Sequence, residues 1–239
     1  MRNRRLLVCP LICLSFLLPN CSSSSSASEP GGTPAKSYST VFPLTENPIS
    51  ENGNWINGGP SPGTGLEWGN VQTQPGMAFG TVLSGAPPYN DSTAVLAGIW
   101  GKNQSAQGTV FVTGTDTNAT EEVELRLNTT ITANNITGYE CTASILSGNP
   151  YMQIVRWNGP LNNFTMLNGE AAFAQNGDVL KCVNDAGTIT FYKNGTAIVS
   201  WTDTTYPNGS PGIGFWNAGG TLADLPQYGF SSFSATNSI

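Results

Sequence analysis

The alternation of apolar and polar residues along the chain predicts a protein built from β-strands. Glu121–Thr130 alternates strictly, with Val123, Leu125 and Leu127 on one face and charged or polar residues on the other. Thr93–Trp100 is almost continuously apolar, which fits either a strand buried on both faces or a short helix. We favour the strand because the neighbouring sequence has no helical periodicity.

The stretch from Gly177 to Trp216 predicts an antiparallel meander. Short runs of β-branched and aromatic residues alternate there with turn clusters. Asn194-Gly195 is the strongest hairpin signal, because both positions of such a turn need a positive φ. About a dozen short strands of this kind, without a convincing helix, predict an all-β, two-sheet antiparallel β-sandwich.

The first residues of the chain predict export. Met1–Leu18 contains three arginines followed by an apolar run that is too short to span a bilayer. This is the pattern of a secretory signal peptide, which we assign to residues 1–21, so no transmembrane helix is expected in the mature chain. Cys21 resembles a bacterial lipoprotein processing site, although Asn20 stands where that pattern has a small residue. Lipidation at Cys21 and ordinary cleavage nearby both stay open.

Two segments are predicted after the signal peptide. Residues 22–37 are rich in Ser, Pro, Gly and Ala and have no large apolar side chain to bury, which predicts a disordered tether. Residues 38–239 are long enough for one all-β domain. The expected location is therefore outside the cytoplasm, as a surface lipoprotein or as a secreted or periplasmic protein.

The charge balance excludes some partners. Without the three arginines of the signal peptide, six basic residues remain against 15 acidic residues. Nucleic acid and anionic glycans are therefore disfavoured as ligands, because both need a basic surface.

Cysteine usage agrees with export. Cys141 and Cys182 are the two cysteines of the predicted domain, and each lies inside a predicted strand. In an exported protein this indicates a disulfide that joins the two strands. A buried pair of free thiols is the alternative.

Several motifs together resemble the concanavalin A-like lectin/glucanase superfamily, and more narrowly the laminin-G-like domains of exported bacterial proteins. The resemblance covers about residues 38–236. It is carried by Phe42–Trp55 (FPLTENPISENGNW), Tyr151–Phe164 (YMQIVRWNGPLNNF), the hairpin-containing Asn176–Asp203, Ser210–Trp216 (SPGIGFW) and Tyr228–Ala235 (YGFSSFSA).

This resemblance implies a jelly-roll of two curved sheets with a concave face that often holds a glycan. The superfamily includes lectins, glucanases, alginate lyases and pure binding domains, so the resemblance implies a fold more than an activity. A polysaccharide or other glycan is the partner that it implies.

The enzyme motifs of that superfamily are incomplete here. The chain has no histidine, which removes Ser-His and Cys-His nucleophilic systems and His-ligated zinc. The alginate-lyase branch has an R-x-E-L-R strand and a Q-[IV]-H strand, but Glu122 replaces the leading arginine and Val155 replaces the histidine. The E-x-D-x-x-E strand of retaining glucanases is also absent, since position 127 is Leu127.

Glu122 and Glu124 are nevertheless candidate catalytic carboxylates, with Arg126 or Tyr139 beside them. The two glutamates share one strand face and lie roughly 6–7 Å apart along the strand, a spacing that can serve hydrolysis. The alternative is a solvated strand face that carries a ladder of charges. No catalytic residue is therefore assigned from the sequence.

Aromatic residues at strand ends are the candidates for glycan binding, because sugar rings stack on Trp while nearby polar groups bind the hydroxyls. The alternative for any of these tryptophans is a place in the core, and Trp55, Trp68 and Trp201 fit the core better. The candidate binding residues are Trp100, Gln153, Arg156, Trp157, Asn158, Trp216 and Asn217.

No cofactor and no metal are assigned. A structural Ca²⁺ needs only oxygen ligands, for which Asn90, Asp91 and Asp203 are loop candidates. No loop has the ligand pattern of an EF-hand, so these candidates stay unassigned.

Three functions follow from these patterns. The first is a non-catalytic, lectin-like domain for a neutral glycan, and the second is a glycosidase or polysaccharide lyase of the same fold. The third is a structural or adhesive module that binds another protein. Burial of Trp157 and Trp216 would favour the third, whereas a groove lined by Glu122 and Glu124 with a tyrosine nearby would favour the enzyme.

Overall fold

Sixteen strands form the described part of the chain. The computed structural model describes residues 34–57, 68–82, 91–116, 119–132, 135–160, 162–219 and 225–239. The predicted signal peptide, Cys21, Asn90 and most of the predicted tether lie outside these residues, so those predictions stay untested. Among the described residues, no helix is long and apolar enough to cross a membrane.

The strand bounds follow the predicted runs closely. In chain order the strands are β1 (Ser37–Thr40), β2 (Trp55–Asn57), β3 (Trp68–Gly69), β4 (Gln72–Gln74), β5 (Met77–Phe79), β6 (Asp91–Leu96), β7 (Gln104–Val112), β8 (Thr120–Thr132), β9 (Asn135–Ser144), β10 (Met152–Gly159), β11 (Phe164–Glu170), β12 (Val179–Asp185), β13 (Thr188–Lys193), β14 (Thr196–Thr202), β15 (Ser210–Ala218) and β16 (Tyr228–Thr236).

These strands form two eight-stranded sheets. Sheet A has the order β14-β13-β12-β7-β16-β5-β4, with β1 also paired to β16, and sheet B has the order β11-β10-β9-β8-β15-β6-β2, with β3 also paired to β6. All of these pairs are antiparallel except the short β3–β6 pair. The predicted all-β, two-sheet jelly-roll sandwich is therefore confirmed.

Two local predictions are also confirmed. The apolar run that begins at Thr93 belongs to strand β6, whose six residues are all buried, so the helical alternative is wrong. The hairpin between β13 and β14 turns at Asn194-Gly195, where φ is 52° and 80°. Both values lie in the left-handed region that this two-residue turn requires.

The hydrophobic core fills the space between the two sheets. Val123, Leu125 and Leu127 of β8 point into it, as their alternation predicts. Cys141 of β9 and Cys182 of β12 form a disulfide, with a Cα–Cα distance of 6.0 Å, that joins sheet B to sheet A through this core. The predicted disulfide is therefore confirmed, and the alternative of free thiols is wrong.

Candidate functional site

A pocket of about 320 Å³ lies on the face of sheet B that points away from the core. Its walls come from six neighbouring strands and from the turn before β10, so the sheet register sets its shape. The lining residues are Asp91, Thr120, Glu122, Glu124, Glu140, Thr142, Asn149, Tyr151, Gln153, Val155, Trp157, Phe164 and Trp216.

A larger pocket, of about 480 Å³, lies beside it and shares Asn149. Its described lining residues include no ionisable side chain, so this second pocket offers no acid–base chemistry. The carboxyl-lined pocket is therefore the candidate site.

Strand β8 carries the charged side chains at the base of this pocket. Glu122, Glu124 and Arg126 alternate with the core residues of β8, as the sequence pattern predicts. They are only 7%, 1% and 0% exposed. The alternative of a solvated ladder of charges is therefore wrong, because side chains from the strands on both sides of β8 cover this face.

Arg126 holds the cluster together. Its guanidinium forms ion pairs with Glu124 and Glu140, and with Asp91 at 3.2 Å. Burial opposes the charge of Arg126, but the surrounding carboxylates outweigh it and raise the pKa of the guanidinium above its usual range. Arg126 therefore stays cationic beneath the pocket.

Glu122 is the carboxyl group of the cluster with which Arg126 forms no ion pair in the described part of the chain. Its carboxyl oxygens contact the hydroxyl groups of Thr142, at 2.9 Å, and Tyr151. Burial, followed by the nearby charge of Glu140, raises the pKa of Glu122 to about 8. Glu122 is therefore mostly protonated at neutral pH.

Glu140 of β9 is the carboxylate that the sequence pattern did not single out. It lies directly opposite Arg126 in the sheet and accepts hydrogen bonds from that guanidinium and from the indole N–H of Trp157, at 2.5 Å. Both N–H groups donate to the same oxygen, so these hydrogen bonds fix the direction of the Glu140 carboxyl group. The alternation of β9 already placed Glu140 on this face, but the register with β8 is not readable from the sequence.

Aromatic residues form one wall of the pocket. The rings of Trp157 and Phe164 have centroids 5.4 Å apart, and Trp68 packs edge-on against Trp157 at 5.3 Å. Trp216 of β15 lines the pocket from the other side of β8. The site thus combines carboxyl groups with aromatic side chains.

Comparison with known proteins shows which fold this architecture has. No protein-family model and no curated protein sequence matches the chain. Among solved structures, the exoplasmic/lumenal domain of VIP36 in its Ca²⁺/Man3GlcNAc-bound form aligns with a TM-score of 0.55 and 13% identity, covering 81% of this chain and 87% of that domain. The chain has the concanavalin A-like lectin/glucanase fold.

Two further structures align with lower TM-scores. The carbohydrate-binding module CBM66 from Bacillus subtilis has a TM-score of 0.47 and 10% identity, over 77% of this chain and 91% of that module. A β-1,3-1,4-glucanase from a mouse hindgut metagenome has a TM-score of 0.45 and 10% identity, over 84% of this chain and 95% of that enzyme. The narrower resemblance to laminin-G-like domains stays a prediction.

Within this concanavalin A-like fold, three of the predicted site residues, Tyr139, Arg156 and Asn158, do not line the pocket. Tyr139 points between the sheets, and its hydroxyl donates to the Asp203 carboxylate at 2.7 Å. Arg156 pairs with the same carboxylate at 2.6 Å and donates to Asn158 at 2.8 Å. The predictions of Tyr139 as catalytic and of Arg156 and Asn158 as glycan ligands are corrected, because these side chains face the opposite side of sheet B.

Two other predicted glycan ligands are also buried elsewhere. Trp100 belongs to the main core, where its indole N–H donates to the Ala97 carbonyl at 3.2 Å. Asn217 follows Trp216 in β15 and therefore points the other way, toward the buried Tyr228 hydroxyl. Gln153, Trp157 and Trp216 are the predicted ligands that do line the pocket.

Of the three tryptophans predicted to lie in the core, two are buried and one is exposed. Trp55 lies in the main core, and Trp68 lies in a second apolar cluster with Trp157 beside the pocket. Trp201 is 44% exposed, so its prediction as a core residue is wrong. It belongs to β14, an edge strand of sheet A that only one neighbour covers.

Three carboxyl groups lie close enough to share a cation. One oxygen each from Glu122, Glu124 and Glu140 lies within 4.8 Å of the others. The Arg126 guanidinium already bonds two of these three and supplies one positive charge to the cluster. The calcium candidates Asp91 and Asp203 are likewise engaged by Arg126 and Arg156.

Proposed function

We propose that the protein hydrolyses a glycosidic bond in this pocket, with Glu122 as the general acid and Glu140 as the nucleophile. The observation that carries the proposal is the contrast between these two carboxyl groups. Their oxygens lie within 4.8 Å of each other, yet burial keeps Glu122 protonated, whereas Glu140 accepts hydrogen bonds from Arg126 and Trp157. Paired carboxyl groups in contrasting environments are the usual basis for assigning an acid and its partner.

Glu122 suits the acid role because its proton stays bound at neutral pH. Hydroxyl groups both donate and accept, so Thr142 and Tyr151 can partner either form of the carboxyl. Glu122 also lines the pocket, within reach of a bound ligand. Tyr151 lies beside a groove lined by Glu122 and Glu124, an arrangement that favours an enzyme over a protein-binding module.

Glu140 suits the nucleophile role because hydrogen bonds from Arg126 and Trp157 fix the direction of its carboxyl group beside Glu122. In retaining glycosidases the two carboxyl groups are about 5–5.5 Å apart, whereas inverting enzymes leave about 6.5–9.5 Å for a water molecule. The short separation of Glu122 and Glu140 supports retention of the anomeric configuration.

The reaction then has two balanced steps. In the first, Glu140 attacks C1 of the sugar, the glycosidic C–O bond breaks, and the proton of Glu122 passes to the leaving oxygen. In the second, Glu122 removes a proton from water, whose oxygen attacks C1 and releases Glu140 as a carboxylate. Both residues return to their starting states.

The aromatic wall supports a sugar as the occupant. Phe164, which is 48% exposed, and Trp216 offer aromatic surface for the C–H groups of a pyranose, while the more buried Trp157 and the amide of Gln153 also line the pocket. A polysaccharide or oligosaccharide is thus the partner that we propose.

We also propose that the protein acts outside the cytoplasm. We infer export through the signal peptide at residues 1–21, with lipidation at Cys21 or cleavage nearby, and a tether over residues 22–37. The disulfide between Cys141 and Cys182 supports this, because structural disulfides persist in oxidising compartments. Extracellular glycan is available to an enzyme placed there.

Matched glutamate variants test the proposal. Glu122→Gln and Glu140→Gln should each lower the rate of product release from a glycan panel by about 10²–10⁴-fold. Glu170→Gln, at the exposed end of β11, should leave the rate unchanged. In Glu140→Ala, azide should restore turnover and give a glycosyl azide of inverted configuration. Equal rates for the wild type, Glu122→Gln and Glu140→Gln would refute these roles.

Binding without cleavage is the second candidate function. Glu140 is only 4% exposed and is tied to Arg126, which favours a rigid binding site over a group that must reach C1. A lectin-like domain would bind a glycan through Trp157 and lose that binding in Trp157→Ala, with no product formed by the wild type. Trp201→Ala is the control, since Trp201 is exposed outside the pocket.

A further inference from the structure

The pocket has far more acid than base. Four of its lining residues, Asp91, Glu122, Glu124 and Glu140, carry carboxyl groups, and no lysine or arginine appears among its described lining residues. Arg126 beneath it is one guanidinium shared among three of the four. An excess of buried negative charge is costly unless protons or a cationic ligand compensate it.

Two carboxylate oxygens are available to such a ligand. Glu124 and Glu140 each use one oxygen to bind Arg126. The second oxygen of each has no hydrogen-bond partner among the residues that the structure describes, although both side chains are almost fully buried. Each is an acceptor without a donor, positioned in the wall of a pocket.

The aromatic wall also suits a positive charge. The ring of Trp216 can attract a ligand cation, as the ring of Trp157 already does for Arg126, whose guanidinium lies 5.6 Å from its centroid. A neutral hydroxyl would satisfy one acceptor but leave the net charge of the cluster uncompensated. A protonated amine supplies three donors together with the missing charge.

We infer that the glycan acted on in this pocket carries a protonated primary amine, as in a hexosamine unit without an N-acetyl group. This inference rests on the proposed function. An amine on C2 is attached to the carbon next to the reacting C1, so Glu124 would bind the amine while its neighbour Glu140 acts at C1. Uronic acids and sulfated sugars would be repelled by the same carboxylates.

The protonation of the cluster supports this inference. Burial raises the pKa of Glu122 to about 8 and that of Asp91 to about 6, and it raises the pKa of Glu124 well above its usual range. At neutral pH the cluster therefore holds bound protons in addition to the single positive charge of Arg126. A bound ammonium group would displace part of them, so binding should release protons to the buffer.

Three β-1,4-linked oligomers that differ only at C2 give the first test. Oligomers of glucosamine, N-acetylglucosamine and glucose are titrated into the full-length protein by calorimetry, and product release is followed for each. We expect the glucosamine oligomer to bind about 10- to 100-fold more tightly than the other two. Its affinity should fall with added salt and in alkaline buffer that deprotonates the amine. Glucosamine and galactosamine, compared with glucose and galactose, repeat the test without a linkage.

The second test uses proton release and a matched variant. Titrations in buffers of different ionisation enthalpy should show protons released when the glucosamine oligomer binds at pH 7. Glu124→Gln should lose most of the preference for the amine over the hydroxyl. Asp178→Asn, whose carboxylate pairs with Lys193 outside the pocket, should keep it.

The outcomes separate this inference from the proposed function. Equal or weaker binding of the amine-bearing sugars by the wild type overturns the inference, whether or not Glu124→Gln folds. Hydrolysis of an uncharged oligomer in that case leaves the proposed function standing. Tight amine binding without product on any oligomer supports the inference for a binding site and refutes the hydrolytic mechanism.

Discussion

Gly214 of β15 lies directly opposite Glu124 of β8, and the space above Gly214 is filled by the carboxylate of Glu124. A Cβ at Gly214 would overlap that carboxylate and would lie 3.0 Å from the terminal nitrogen of Arg126. The missing side chain on one strand therefore lets the ion pair on the next strand lie flat against the sheet. The charge cluster depends on a glycine as much as on its acids.

Gly214→Ala on β15 should therefore disturb the charge cluster on the neighbouring strand β8. Because Glu124 and Arg126 are buried, they cannot move aside freely, and we expect a loss of about 1–3 kcal/mol in the free energy of unfolding. Urea denaturation followed by tryptophan fluorescence measures this loss. Gly148→Ala is the control, since no atom lies within 4 Å of its added Cβ. Equal stability of the two variants would contradict the overlap.

Arg126 should be far more important for stability than Arg156, although both form ion pairs. Arg126→Met leaves Glu124, Glu140 and Asp91 buried without their counter-charge, which typically costs about 3–5 kcal/mol. Arg156→Met breaks a pair whose arginine side chain is 26% exposed, so we expect about 1 kcal/mol or less. Chemical denaturation of both variants measures the two losses in the free energy of unfolding. Similar losses would show that the cluster does not need Arg126.

The sequence predicted which residues share a face but not what covers that face. Alternation along β8 correctly separated Val123 from Glu122, because the side-chain period of a strand is two. It did not show that Glu140 would lie opposite Arg126, since that depends on the β8–β9 register, which shifts at a bulge between Leu127 and Thr130. The sequence therefore left open whether this charged face is solvated or covered.

The same lack of information about the assembled sheet explains why some residues were assigned to the wrong face or the wrong environment. Arg156 and Trp157 are neighbours in sequence, so they point to opposite faces of β10 and cannot belong to one site on the sheet. Trp201 has the apolar character of a core residue, but β14 is an edge strand, and position in the sheet order is not written in a local pattern. Local patterns in the sequence predict the strands, whereas the pocket becomes visible only when the strands are assembled into the sheet.

The disulfide should contribute strongly to stability because it joins the two sheets. Cys141 and Cys182 are separated by 41 residues, and closing a loop of that length in the unfolded chain corresponds to about 4 kcal/mol. The Cys141→Ala/Cys182→Ala double variant should lose a comparable free energy of unfolding in urea. Adding reductant should destabilise the wild type but leave the double variant unchanged. A loss below about 1 kcal/mol would show that packing alone holds the sheets together.

Stability should fall as the pH rises from about 4.5 to about 8, because of Glu122. Burial raises the pKa of this carboxyl from 4.5 to about 8, so within this range the folded state keeps a proton that the unfolded chain has released. The state with more bound protons loses stability as pH rises, and Asp91, with its pKa raised to about 6, adds to the lower part of the range.

Thermal unfolding across this pH range measures the effect. In the wild type, the melting temperature should decline with rising pH and level off above about 8, where Glu122 is ionised in both states. Glu122→Gln cannot titrate, so its melting temperature should decline less over the same range. Glu170→Gln, which changes an exposed carboxyl on β11, should follow the wild type. A Glu122→Gln curve as steep as that of the wild type would show that other groups set the pH dependence. The acid assigned to glycoside cleavage would then lose its raised pKa, because the same bound proton accounts for both the slope and the catalytic role.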